Sequence, residues 1–153
     1  MSRQTARSII IICALAVAFM AGSCAKESGK EATAGGVDWL LSMEEALARA
    51  EEQERPIMID VYADWCGWCK TLDNETYVHE DVVAMAGKFV NLKLDADAHR
   101  SIMSEYRIAG LPTILFIDAD GREIHRIVGY KPPEEFLRDM NTALDAFQRA
   151  KGS

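Results

Sequence analysis

Two cysteines stand three residues apart in Trp65-Cys66-Gly67-Trp68-Cys69-Lys70. Such a pair can be half of a metal site, a structural disulfide or a redox centre that opens and closes during turnover. A metal would need two further ligands, and His79, His99 and His125 are scattered without ligand spacing, so none is expected. A structural disulfide closing so small a loop would add little stability. The redox reading carries more weight. Cys66 falls where an apolar run, Ile57 to Ala63, gives way to a helical pattern. Unpaired N–H groups and the positive end of the helix dipole gather at such a point. Both favour thiolate, so Cys66 is expected to ionise below the ordinary value of about 8.5 and to attack from an exposed position. Cys69, on the same helix face, is expected to lie deeper and resolve the mixed disulfide. Thiol-disulfide exchange of this kind needs no cofactor.

The segments around the pair say where it works. Residues 1–23 carry Arg3 and Arg7 ahead of an apolar run of about 13 residues, Ile9 to Ala21. That is the length of a signal-peptide core and short of the ~20 residues that span a bilayer. Ala21-Gly22-Ser23-Cys24 resembles a bacterial lipobox, with Ala21 where Leu is usual. Cys24 is therefore read as a lipidation site. The alternative, an ordinary secretory peptide, would leave it a free thiol. Cys13 leaves with the signal, so Cys66 and Cys69 have only each other as partners. Export also places them where disulfides persist. Residues 24–36, polar and small, read as a flexible tether, and residues 37–153 as the folded domain. Loss of Arg3 and Arg7, with no acid in the same segment, takes the formal charge from −7 to −9. A surface that acidic argues against nucleic acid as a partner. The expected state is a monomer.

Periodicity supplies the elements. Ser42 and Glu45 form a capping-box pattern ahead of a helix from Met43 to Glu54, closed by Pro56. Ile57 to Ala63 reads as a strand buried on both faces, with Asp60 its one charge. A helix runs from Gly67 to about Lys88, with a break near Tyr77. Phe89 to Asp97 is a second strand, Ala98 to Tyr106 a short helix, and Leu111 to Asp118 a third strand that begins at a proline. Asp118 to Gly121 is a hairpin turn into a fourth strand, and Pro132-Pro133-Glu134 opens the last helix. Alternating strands and helices predict a three-layer α/β/α sandwich with parallel strands and a C-terminal antiparallel hairpin.

The string Ile59 to Cys69, the downstream Tyr106 to Asp118 and the later Val128-Gly129-Tyr130 resemble the thioredoxin superfamily in order and distance. Within it they are most similar to the thioredoxin-like C-terminal domain of the thiol-disulfide interchange protein DsbD and to small exported lipoproteins. The resemblance covers about Asp38 to Phe147. It implies a thioredoxin fold, with Cys66 as nucleophile and Cys69 as resolving cysteine. It makes Pro112 a cis-proline facing the site, and Leu111 the residue whose backbone pairs with an incoming strand. Asp60 becomes the buried acid and base behind Cys69, and Asp73 a second acid that tunes the thiols. Trp65 and Trp68 would form an apolar rim, with Gly67, Gly110 and Thr113 completing the substrate surface. Implied partners are protein disulfides and, as electron donor, a membrane transporter of the DsbD type.

The Gly67-Trp68 dipeptide departs from the family's Gly-Pro and from the histidine-containing pairs of strong oxidants. With no imidazolium between the cysteines, and with Asp60, Asp64 and Asp73 near, the thiolate is less favoured and the disulfide more so. Lys70 partly offsets this. The balance points to a reductase. Alternatives are an oxidase or isomerase, a reductase dedicated to cytochrome c maturation, or a non-catalytic binding module or metallochaperone. Export points to the periplasmic side of a bacterial membrane, and Ala25 after the lipid site favours the outer one.

Overall fold

The computed structural model describes residues 32–34 and 36–152. The signal segment, Cys24 and residues 25–31 of the tether lie outside that range. The end of the expected tether is not loose: β1 (Ala32–Ala34) pairs antiparallel with β2 (Val37–Trp39). Two glycines separate the strands, and Gly36 has φ 93, a conformation that a two-residue hairpin demands and glycine adopts without strain. Val37 and Trp39 are buried, and Leu40 continues the strand with a parallel bridge to Leu92. This hairpin is an addition to the expected order. Strands of three residues are too short for alternation to be seen in sequence.

Helix α1 (Met43–Gln53) begins where Ser42 Oγ accepts the Glu45 N–H at 3.3 Å. Strand β3 (Ile57–Tyr62) leads to the cysteines and to α2 (Gly67–Thr71), which runs on into a π-helical turn, Leu72–Thr76. The helical stretch breaks at Tyr77 and resumes as α3 (Glu80–Ala86). Then come β4 (Val90–Asp95), α4 (Arg100–Glu105), β5 (Thr113–Ile117), β6 (Glu123–Val128) and α5 (Pro133–Lys151).

The central sheet has the order β4-β3-β5-β6. β3 and β4 are parallel, as alternation predicts, but β5 runs antiparallel to β3. The register explains why. β4 ends with Asp95 opposite Tyr62, and β5 begins with Thr113 opposite Val61, at the same end of the sheet. The connection through α4 leaves and re-enters the sheet at that one end. The chain therefore turns over at the end where the cysteines lie.

Period-two alternation divides the core. Ile57, Ile59, Val61, Leu92, Leu94 and Leu115 face α1 and α4, packing with Ala46, Ala50, Tyr106 and Ile108. Met58, Ile114, Phe116 and Ile127 face α3 and α5, packing with Val82, Ala86, Phe136 and Met140. Asp60 and Lys93 fall on the second face, where hydrocarbon would be expected.

Candidate active site

Cys66 and Cys69 form a disulfide at the end of β3. Cys66 is the N-cap of α2, and its Sγ accepts the Cys69 N–H at 3.1 Å. The sulfur thus takes one of the donors that a helix start leaves unpaired. Cys66 and Cys69 are 5% and 3% exposed, packed with Ala63, Tyr62 and Leu111. The expected contrast between an open first cysteine and a buried second one is absent: with the disulfide closed, both are covered.

The peptide bond between Leu111 and Pro112 is cis. Leu111 packs against the sulfur cluster, and the buried Thr113 donates its hydroxyl to the Gly110 carbonyl at 2.7 Å. Gly67 and Gly110 are exposed, and a Cβ at either would meet nothing within 4 Å. Backbone on both sides of the disulfide is therefore open to approach. Trp65 and Trp68 are 70% and 63% exposed. Neither is loose. Trp65 Nε1 donates to Asp97 Oδ2 at 2.8 Å, and Trp68 stacks on Tyr130 with centroids 5.7 Å apart.

Sequence reasoning set Asp60 behind Cys69 as a solitary carboxylate. It is buried, but it has a partner. Lys93 Nζ stands 3.0 Å from Asp60 Oδ2 and also bonds Asp73 Oδ1. The ammonium lies 5.0 Å from the ring centroid of Tyr62 and 5.5 Å from those of Trp39 and Tyr77. Asp73 is reached because the helical stretch from Gly67 carries it back over the sheet. Burial raises Asp60 strongly; Lys93 opposes this, and the balance leaves its pKa at about 6. Burial alone would lower Lys93, but Asp60 and Asp73 outweigh that and hold it above the ordinary lysine range. The Tyr77 hydroxyl lies close enough to help lower Asp60 yet stops short of hydrogen-bond geometry. The link from sulfur to carboxylate passes through Tyr62, which packs on the disulfide and lies under Lys93.

Lys93 escaped the sequence reading, although a signal was present: one cation flanked by Leu92 and Leu94 in a strand, in a β-α-β unit whose first strand holds one acid. Asp97, Tyr130 and Glu75, which support the tryptophans, carry no such mark. Among the described residues no cluster of three His, Cys, Asp or Glu could hold a metal, and no helix is long and apolar enough to cross a membrane.

A family model for the thioredoxin-like domain matches residues 43–144. The chain belongs to that family. Its disulfide, cis-proline and buried acid make it a thioredoxin-like domain of the disulfide-oxidoreductase type. It is 37% identical over 107 residues to the thiol:disulfide interchange protein DsbD of Yersinia enterocolitica, covering 66% of this chain and 18% of that protein. With DsbD of Ralstonia nicotianae it shares 31% over 139 residues, 84% of this chain and 23% of that one. The chain thus spans about a fifth of the length of these curated relatives. A solution structure from Bacteroides thetaiotaomicron superimposes with TM-score 0.64 at 32% identity, covering 74% of this chain and 97% of that one. The oxidised C-terminal domain of Neisseria meningitidis DsbD shares the fold at TM-score 0.57 and 23% identity, covering 62% and 86%.

Proposed function

We propose that this protein is an exported, membrane-anchored thiol-disulfide oxidoreductase that acts as a reductase of protein disulfides. One observation carries the exchange chemistry: the Cys66–Cys69 disulfide opens a helix, with Cys66 Sγ on the Cys69 N–H and Leu111 of the cis Leu111–Pro112 bond packed against it. In the reduced protein that N–H stabilises a Cys66 thiolate. The thiolate attacks one sulfur of a partner disulfide and forms a mixed disulfide; the other partner sulfur leaves as a thiolate and takes up a proton. Cys69 gives up its proton and attacks Cys66 Sγ, which frees the second partner thiol. Two thiols here have become one disulfide, and one disulfide there has become two thiols. Asp60, with a pKa of about 6, is the acceptor suited to the Cys69 proton near neutral pH. Leu111 offers its backbone to the incoming strand.

The direction follows from charge. Gly67-Trp68 places no imidazolium between the sulfurs, and Asp60, Lys93 and Asp73 together leave one negative charge when both acids are ionised. Electrons would come from a membrane transporter of the DsbD type. Residues 1–23 act as the signal, Cys24 as the lipidated residue, and the domain works on the periplasmic side, at the outer membrane. Insulin reduction with the potential of the Cys66–Cys69 couple tests the activity. We expect a value nearer the about −270 mV of thioredoxin than the about −120 mV of a strong oxidant. A potential at the oxidant end overturns the direction, and no exchange at all overturns the activity. Wild type should incorporate labelled fatty acid and Cys24→Ser should not; unlabelled wild type overturns the anchor.

A further inference from the structure

The two exposed tryptophans beside the disulfide are each supported by an acid. Asp97 holds the Trp65 indole directly, while Trp68 stacks on Tyr130, whose hydroxyl donates to Glu75 Oε2 at 2.6 Å. Asp64 adjoins Trp65 in the chain, and Asp95 joins the same end of the sheet, opposite Tyr62. Both acids lie near enough to help raise the Tyr62 pKa, after partial burial of that ring. Asp64, Glu75 and Asp97 are exposed and Asp95 half-buried. Lys70, on α2, is the cation among residues 64–75, and the exposed Arg100 opens α4 three residues after Asp97; Lys131, next to Tyr130, is held by Asp139 at 2.6 Å. Two open indole faces backed by carboxylates form a surface for cations that stack: an aromatic face attracts guanidinium or ammonium, and the acids add charge attraction.

We infer that the partner segment docking at Cys66 is cationic: the rim of Trp65, Trp68, Asp64, Glu75, Asp95 and Asp97 selects disulfides whose cysteine is flanked by arginine or lysine. This rests on the oxidoreductase reading and adds a substrate class to it. Selection acts on docking, before exchange, so it shows in the second-order rate and weakens as salt screens the charges.

The test uses three peptides, each a mixed disulfide with glutathione, in which the cysteine is flanked by Arg, Ala or Glu. Reduced full-length protein reacts with each, and every rate is divided by the rate with dithiothreitol, which removes the peptide's intrinsic reactivity. At low ionic strength the Arg peptide should react about tenfold faster than the Glu peptide, and the ratio should fall toward one in about 1 M salt. Asp97→Asn combined with Glu75→Gln should lower the ratio. Glu51→Gln with Glu52→Gln removes as much charge from α1; Glu51 lines a cleft with Asp118 and Phe147 at the far end of the sheet, and this pair should leave the ratio nearly intact. Equal Arg and Glu rates, with the Ala peptide reduced normally, overturn the inference alone. An equal loss from the remote pair also overturns it, because net charge would then be the cause. If no peptide and no insulin is reduced, the oxidoreductase reading falls with it.

Discussion

Lys93 lies directly across from Asp60 on the parallel strand beside it, with its ammonium 3.0 Å from Asp60 Oδ2. Asp60 is 1% exposed, so its charge depends on Lys93, whereas Lys93 has Asp73 as a second partner. Replacing the lysine alone should be severe. Lys93→Met leaves a buried carboxylate without its partner and should destabilise the fold by about 3–5 kcal/mol, read from urea unfolding. Adding Asp60→Asn should restore a large part of that loss. A cost below about 1 kcal/mol for Lys93→Met would mean that the pair is dispensable to the fold.

The same burial gives a pH dependence whose sign is fixed. Asp60 has a folded pKa of about 6 against 3.8 for the free group. Between these values the folded protein binds more protons than the unfolded chain, so stability from this group falls as pH rises. It is fully present below about pH 4 and lost through about pH 6, a change on the order of 3 kcal/mol. Denaturant unfolding of wild type and Asp60→Asn across this window measures it. The difference between them should shift steeply with pH; a difference flat from pH 4 to 7 would place the Asp60 pKa near its ordinary value.

The nearly equal burial of the two cysteines removes exposure as a guide to their roles. Position at the helix start remains: Cys66 caps α2 and takes the Cys69 N–H. Cys69→Ser should therefore accumulate mixed disulfides through Cys66, while Cys66→Ser should trap few or none, as seen on non-reducing gels. The reverse pattern would exchange the roles. Trapping by neither variant would favour a non-catalytic binding module. Mass spectrometry of the trapped species would name the substrate.

The elements of the domain and the cysteine pair were legible because each carries a local mark: period-two or period-3.6 hydrophobicity, the Ser42 cap, the Asp118–Gly121 turn. What stayed hidden was long-range. Whether β5 runs with or against β3 depends on the end of the sheet at which the connection through α4 returns the chain, which no residue within β5 records. The Ala32–Trp39 hairpin is too short to show a period. Asp60 was legible as an anomaly in an apolar strand, but its partner lies 33 positions on and is supplied by strand register. The tethers of Trp65 and Trp68, to Asp97 and Tyr130, are surface contacts between ordinary surface residue types, and only the fold brings them together.

Lys93 also changes what the two acids should do to the disulfide. In sequence, Asp60 and Asp73 act alike: each puts negative charge near the thiols, raises their pKa and favours the disulfide. In the structure both share one ammonium, and they differ in burial. Asp60 is enclosed, where charge is weakly screened, while Asp73 is half-exposed at 28% and partly answered by water. Removing either acid cancels the cluster's net negative charge, so both substitutions should stabilise the thiolate and move the couple toward a more oxidising potential. Asp60→Asn should do so more strongly. One tenfold change in the exchange equilibrium is about 30 mV, so we expect a shift of about 30 mV for Asp60→Asn and about half of that for Asp73→Asn. Asp60→Asn should in addition slow release of the mixed disulfide, because the acceptor for the Cys69 proton is gone. Equilibration of each variant with glutathione gives the potentials, and stopped-flow Trp68 fluorescence gives the resolution step. Unchanged or more reducing potentials in both variants would assign these acids to the fold alone. A larger shift from Asp73 would mean that the exposed acid is the one the sulfurs sense.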